Sequence, residues 1–267
     1  MTGAASSSGH LVASDIRVSF PSASRGGPPL SALAGLSLDI AGGEIVAMIG
    51  PNGSGKSTFL RVVAGLLAPE SGSVALDGRA IVAPDERIGL VFQEPRLLPW
   101  RTTAANITYP LELAGWSRER RSARLDELIR LVGLEGAADL RPVQLSGGMR
   151  QRAALARALA ASPDVLLLDE PFSALDALTR ERFNLDLLAV QARTRTTVLI
   201  VTHSIPEAVL VADRVVVLTG QPGRVAAEIR VDAPRPRTLA QLDHGALAAA
   251  SAAVRAALAH ADEARVA

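Results

Sequence analysis

The chain has 267 residues, 48% of them apolar and 21% charged, enough to bury a core either as one large α/β domain or as a domain with an inserted subdomain. Its 28 basic and 27 acidic side chains leave a net charge of +1, so no bulk field attracts nucleic acid, and the lack of cysteine excludes a disulfide framework, a thiolate metal site and a cysteine nucleophile. Met1 to His10 carry neither a basic cluster nor an apolar stretch, which predicts no secretory signal and makes the cytoplasm the expected compartment.

The two segments Ile16 to Phe20 and Leu36 to Ile40 alternate apolar and polar residues around the Gly/Pro/Ser-rich stretch Pro21 to Pro29. This pattern predicts two antiparallel strands joined by a long loop. Glu44 to Ile49 is a continuous apolar and β-branched run, the pattern of a buried parallel strand, and it leads directly into Gly50-Pro51-Asn52-Gly53-Ser54-Gly55-Lys56-Ser57-Thr58. Ser57 to Leu67 then follows with helical spacing, placing Leu60, Val63, Ala64 and Leu67 on one face. A strand is expected over Arg87 to Phe92, and a helical insertion rich in arginine and glutamate over Thr103 to Val132. Helices over Gln151 to Ala161 and Ala177 to Arg193 alternate with strands over Asp164 to Leu168 and Thr197 to Val201, which implies a mostly parallel sheet. The apolar runs Val165 to Leu168 and Val215 to Leu218 are far shorter than the ~20 residues that cross a bilayer. From Asp232 the chain changes to Pro/Arg turns and then an alanine-rich helix, Leu239 to Ala267, read as a peripheral tail.

The segment from Gly50 to Thr58 fits G-x-x-x-x-G-K-[ST], and its place between strand and helix is the context that motif requires. Gly50, Gly53 and Gly55 permit backbone turns closed to other residues, so several N–H groups of the loop can face one anion, and the helix adds its positive end. Lys56 is the only lysine in the chain; every other Lys/Arg position is arginine, whose planar fork cannot replace a compact ammonium among phosphate oxygens. The loop therefore predicts binding of nucleotide phosphates, with Lys56 at the β and γ phosphates and the Ser57 hydroxyl placed to ligate Mg2+, and by itself it does not choose among kinases, GTPases and ATPases.

Further along stands Leu145-Ser146-Gly147-Gly148-Met149-Arg150-Gln151-Arg152, ahead of the apolar strand that ends in Asp169-Glu170. With the glycine loop, these segments resemble the ABC ATPase family: Leu-Ser-Gly-Gly is similar to its signature, and Val165 to Glu170 to its Walker B strand. The resemblance implies an α/β P-loop NTPase fold, a RecA-like mostly parallel sheet with an N-terminal antiparallel β subdomain and an inserted helical subdomain. It implies an ATPase domain over 11–231, with the helical subdomain at about 96–161, and leaves 232–267 as the peripheral tail. In the family, the signature serine and glycines contact the γ-phosphate held by the opposing subunit, a role carried over to Ser146, Gly147 and Gly148. Asp169 would then hold the Mg2+ shell, and Glu170 would be the base that polarises the attacking water. Gln93, after the strand ending Val91-Phe92, matches the glutamine whose amide oxygen reaches Mg2+ and whose loop senses the membrane partner. Ser173-Ala174-Leu175-Asp176 matches the segment that runs along the dimer interface. His203 matches the switch histidine that contacts the γ-phosphate, and Phe20 the aromatic that stacks on adenine. Two departures are visible, Met149 where glutamine is common and Ser204 where aspartate is usual; neither removes a group with an assigned chemical role.

One nucleotide-binding unit without a membrane span fits a separate subunit that forms a homodimer and docks on integral-membrane permease subunits at the cytoplasmic face, with a solute-binding protein engaged indirectly. Phe92-Gln93-Glu94-Pro95-Arg96-Leu97-Leu98-Pro99-Trp100 is similar to the stretch found in nitrate, sulfonate and taurine importers, as are Gln221 to Val225 and Pro234 to Arg237. Leu98, Pro99 and Trp100 are expected to form an apolar patch that receives the permease. The alternative is a soluble ABC ATPase acting in DNA repair or translation; such relatives usually have a second nucleotide-binding domain or a long coiled coil, which does not fit between Gln93 and Leu145. A regulator that binds without hydrolysing is disfavoured by Glu170 and His203 together.

Overall fold

A computed structural model describes residues 8–22, 27–172 and 175–266. Strands β1 (Leu11–Phe20) and β2 (Leu30–Ile40) pair antiparallel, Leu11 opposite Ile40 and Phe20 opposite Leu30, as their alternation predicts. On the other side of β1 lies β4 (Ser71–Leu76), which turns into the two-residue β5 (Arg79–Ala80), giving the sheet order β2-β1-β4-β5. Asp77 and Gly78 make that turn with φ of 50° and 76°. Asp-Gly is the residue pair that accepts two such angles, so this hairpin has a sequence signal although its strands barely alternate.

The second sheet contains β3 (Ile45–Ile49), β6 (Ile88–Val91), β7 (Val165–Asp169), β8 (Thr197–Val201), β9 (Arg214–Leu218) and β10 (Val225–Arg230), in the order β10-β9-β3-β8-β7-β6. All its pairs are parallel except β10 with β9. Alternate residues of each central strand enter opposite cores: Ile45, Ala47 and Ile49 face one, and Val46 and Met48 the other. The first core is closed by helices α2 (Thr103–Leu113), α3 (Arg118–Val132), α4 (Gly147–Ala158), α5 (Ala177–Thr194), α6 (Ile205–Val211) and α7 (Gly245–Val266). The second is closed by α1 (Lys56–Val63) and the antiparallel sheet. Burial on both faces is why these strands read as continuous apolar runs.

Several expectations are refined. The helical pattern over Thr103 to Val132 is two helices, broken at Gly115 and restarted by Ser117, whose hydroxyl accepts from Arg120 N. Helix α4 begins at Gly147, four residues before the expected start, because Ser146 caps it by accepting from Met149 N. Helix α1 stops at Val63, ahead of Gly65 at φ 68°. The alanine-rich end is a 3-10 turn at Leu239–Gln241 followed by α7. Segment 232–267, expected to be peripheral, is built into the first core: Leu247, Ala250 and Val254 of α7 are buried against α6, β9 and β10. Their i, i+3, i+7 spacing gives the helix an apolar stripe amid its alanines.

Candidate functional site

The glycine loop runs from the end of β3 to α1, and Gly53 and Gly55 have φ of 82° and 83°, angles that L side chains rarely adopt. Phe59 N donates to Gly55 O at 2.8 Å, the first bond of α1. The loop rests on other parts of the chain. A Cβ on Gly55 would stand 2.6 Å from Leu33 Cδ2 and 2.8 Å from Ala32 O, and one on Gly223 would stand 2.1 Å from Ser54 O. Gly223 is in turn fixed to β2, its N–H donating to Ala32 O at 2.9 Å. Sequence reasoning did not identify Ala32, Leu33 or Gly223 as the wall of the loop, since nothing in their own chemistry reveals a contact across the fold.

Lys56 is buried, and its ammonium donates to Gly50 O at 2.8 Å, Pro51 O at 2.9 Å and Ser54 Oγ at 3.3 Å. Burial lowers its pKa, while the charges of Glu170 and Asp169 act in the opposite direction. Ser57 Oγ donates to Asp169 Oδ1 at 2.8 Å, joining the loop to the end of β7. Burial raises the Asp169 pKa, opposed first by this hydrogen bond. Glu170, the next residue, has φ 43°, unusual for a side chain of its size, and its N–H donates to Val201 O at 2.9 Å. Its Oε2 lies 3.1 Å from Nδ1 of His203, which is half-exposed just beyond β8.

These groups come from neighbouring strands. The loop after β3, His203 after β8, Glu170 after β7 and Gln93 after β6 all lie at C-terminal ends of one parallel sheet, the edge where open α/β sheets bind ligands. Gln93 lines a cleft of about 580 Å³ with Ser57, Asp169, Arg61, Glu94 and Arg96. Ser57, Asp169 and Gln93 supply hard oxygen donors, the type Mg2+ takes. Among the described residues no group of three His, Cys, Asp or Glu could hold a metal by itself. That donor set fits a cation whose shell is completed by phosphate and water.

Pro51, Asn52 and Thr58 are in the loop and the first turn of α1. Phe20 is 37% exposed at the end of β1. Ser146, Gly147 and Gly148 form the N-terminus of α4, and a Cβ on Gly148 would stand 2.9 Å from Thr179 Cγ2 of α5. Among the described residues, no hydrogen bond joins them to the glycine loop. Ser173 and Ala174 lie outside the described residues; Asp176 caps α5 by accepting from Thr179 N.

Behind His203 is a buried arrangement that sequence reasoning also missed. Thr202 Oγ1 donates to Glu207 Oε2 and accepts from Ser204 N at 3.0 Å, while Ser204 Oγ caps α6 by accepting from Glu207 N at 3.4 Å. Burial raises the Glu207 pKa, and its Oε1 has no partner among the described residues.

Comparison with known proteins agrees with this geometry. A family model described as ABC transporter matches residues 33–173. An uncharacterized ABC transporter ATP-binding protein of Methanocaldococcus jannaschii is 46% identical over 79% of this chain and 79% of its own. An aliphatic sulfonates import ATP-binding protein, SsuB 2, of Burkholderia cenocepacia is 51% identical over 77% of this chain and 74% of its own. Among solved structures, a dimeric ATP-binding cassette in a post-hydrolysis state bound to ADP and Pi has a TM-score of 0.73 and 33% identity, covering 84% of this chain and 100% of that one. With the phosphate loop, the strand-end carboxylates and the histidine on adjacent strands, the chain belongs to the ABC transporter family, as an ATP-binding subunit and ATPase.

Proposed function

We propose that this chain energises a membrane importer, working as a homodimer that closes on ATP and opens after hydrolysis, and that the cargo is an aliphatic sulfonate or a similar small solute such as nitrate or taurine. The observation that carries the catalytic part is the convergence of Lys56, Ser57, Asp169, Glu170 and His203 at the ends of adjacent strands. The loop N–H groups and the α1 N-terminus bind the phosphates, and Lys56 exchanges its loop carbonyls for β and γ phosphate oxygens. Ser57, Asp169 and Gln93 would hold Mg2+, which when bound neutralises phosphate charge. Glu170 accepts the proton of the attacking water, and His203, beside it, contacts the γ-phosphate. Phe20 stacks on adenine. The N-terminus of α4, with Ser146, Gly147 and Gly148, completes the site of the opposing copy, a second use of helix-end N–H groups toward phosphate.

No helix among the described residues is long and apolar enough to cross a membrane. In this reading the chain sits at the cytoplasmic face, attached to permease subunits and through them to a solute-binding protein. The surface for the permease centres on Trp100, which is 69% exposed. Its loop is held by buried Asn106, whose Oδ1 accepts from Leu98 N at 2.7 Å and whose Nδ2 donates to Leu98 O, Arg101 O and Thr102 O. A fixed loop carrying an exposed tryptophan is suited to an interface anchor. The relatives named for sulfonate import support the cargo class.

Glu170→Gln tests the catalytic reading. It is expected to keep ATP affinity, reduce phosphate release by about 10² to 10⁴ and accumulate an ATP-bound dimer visible by size exclusion. Turnover at the parent rate would mean that another group is the base.

A further inference from the structure

Helix α6 has only seven residues and begins two positions after His203. So short a helix has little stability of its own, and its last carbonyls lack partners within it. Two arginines from the segment after β10 supply them. Arg237 is 3% exposed, and its Nη1 donates to Val209 O at 3.2 Å, Leu210 O at 3.3 Å and Ala212 O at 2.5 Å. Its Nη2 reaches Val231 O at 3.1 Å and Ala233 O at 3.0 Å, and its Nε reaches Ala233 O at 3.1 Å. Arg235 donates to Val211 O at 3.0 Å, to Gln191 Oε1 of α5 at 3.0 Å and to Asp213 Oδ1 at 2.8 Å. Asp213 Oδ2 also accepts from Ile45 N at 2.9 Å, so this cap is anchored to the strand that feeds the glycine loop. A guanidinium presents five donors in a rigid fork, and its charge suits the negative end of a helix. At the opposite end of α6, about 10 Å away by helical rise, the Thr202, Ser204 and Glu207 hydrogen bonds tie the first turn to the residues either side of His203.

We propose that Arg237 is a positioning residue for His203: the C-terminal segment sets the place of the switch histidine through α6. The proposal rests on the reading of His203 as a γ-phosphate contact. Without the fork, α6 frays from its C-terminal end, the first-turn hydrogen bonds lose their register, and His203 is held only by β8. The glycine loop, carried by β3 and α1, keeps its phosphate-binding shape. Hydrolysis and nucleotide binding therefore respond differently, and whatever engages the C-terminal segment gains control of turnover without touching ATP.

The test uses the full chain with Arg237→Lys, which keeps the charge and removes the fork. ATP affinity is measured by titration, turnover by phosphate release per ATP-binding site, and His203 by the imidazole carbon-proton resonances of 13C-histidine-labelled protein. The chain has four histidines, so His203 is assigned from the signal lost in His203→Ala. The expected result is ATP affinity within about twofold of the parent, kcat lowered about tenfold or more with KM little changed, and a shifted or broadened His203 resonance beside an unmoved His10. Parent kcat with an unmoved His203 signal overturns the proposal, as does a loss confined to the number of ATP-binding sites with kcat per site unchanged. Should Arg237→Lys not fold, Arg235→Ala removes the bonds to Val211, Gln191 and Asp213 while leaving the Arg237 fork, and is expected to give a smaller kcat loss with the same His203 signature; parent behaviour there also overturns it. His203→Ala separates the two readings. Full turnover in that variant overturns the role of His203 and the positioning role with it, while lost turnover there beside parent kcat in Arg237→Lys overturns the positioning role alone.

Discussion

Gly223→Ala probes the glycine loop from outside. The new methyl would stand 2.1 Å from Ser54 O, 3.1 Å from Ser54 C and 3.2 Å from Leu33 Cδ2. Carbon-to-oxygen contacts are comfortable only beyond about 3.3 Å, so roughly 1 Å of separation has to be found. Gly223 cannot retreat freely, because its N–H and C=O are hydrogen-bonded to Ala32 O and Ala34 N on β2 at 2.9 and 3.2 Å. Its backbone lies outside the left-handed region, so alanine adds contact strain without a dihedral penalty. The displacement falls on Ser54, which is 1% exposed and whose hydroxyl lies 3.3 Å from Lys56 Nζ. In the free protein the loop can shift and relieve the contact; binding phosphate requires it to shift back. Overpacking of this kind costs about 1–3 kcal/mol, which corresponds to a loss of roughly five- to 150-fold in ATP affinity if the strain is felt only in the bound state. Isothermal titration with ATP measures it, and a thermal melt establishes that the variant is folded. ATP affinity within twofold of the parent would refute the idea that Gly223 shapes the loop.

Trp100→Ala is expected to leave the phosphate release of the isolated subunit within about twofold while weakening association with permease subunits by ~2 kcal/mol or more, the effect of removing an interface anchor; unchanged assembly and transport in proteoliposomes would exclude Trp100 from the contact. Glu207→Gln is expected to make stability less dependent on pH. Burial raises the Glu207 pKa, so between the ordinary carboxyl value and the raised one the folded chain keeps a proton that the unfolded chain releases, and stability present at acid pH is lost as pH rises through that window. Glutamine removes this loss, so a gain of about 2–4 °C in Tm for each kcal/mol recovered should appear at pH 8 and vanish below the ordinary carboxyl pKa. A Tm difference that does not change with pH would show that ionisation of Glu207 is not the cause.

What could be read from the sequence was what local chemistry specifies. Left-handed φ at Gly53 and Gly55, an ammonium beside them and an apolar strand ending in two carboxylates are each encoded within a few residues, and in the fold Ser57 meets Asp169 while Lys56 feels the charges of Asp169 and Glu170. The β4–β5 hairpin was signalled only by Asp77-Gly78, and α6 was hidden by its seven residues and by Pro206 in its first turn. Other features depend on contacts with distant parts of the chain. Gly223 meets Ser54 from far along the sequence, so its need for a missing side chain cannot be seen locally. Arg237 carries a charge and reads as a surface residue, yet it is buried because backbone carbonyls from α6 and the end of β10 converge on its guanidinium. An arginine buried this way is satisfied by geometry that residue type alone does not announce.

The strand order also bears on how the molecule is made. Both neighbours of β3 in the sheet, β8 and β9, lie after residue 196, while β3 itself ends at Ile49. During synthesis the strand beneath the glycine loop thus waits for roughly 150 further residues before either of its partners exists, and pairings between such distant segments form slowly. The glycine loop leaves the ribosome long before it acquires its final support, so its exposed apolar strand is where a stalled or truncated chain would be most prone to aggregate.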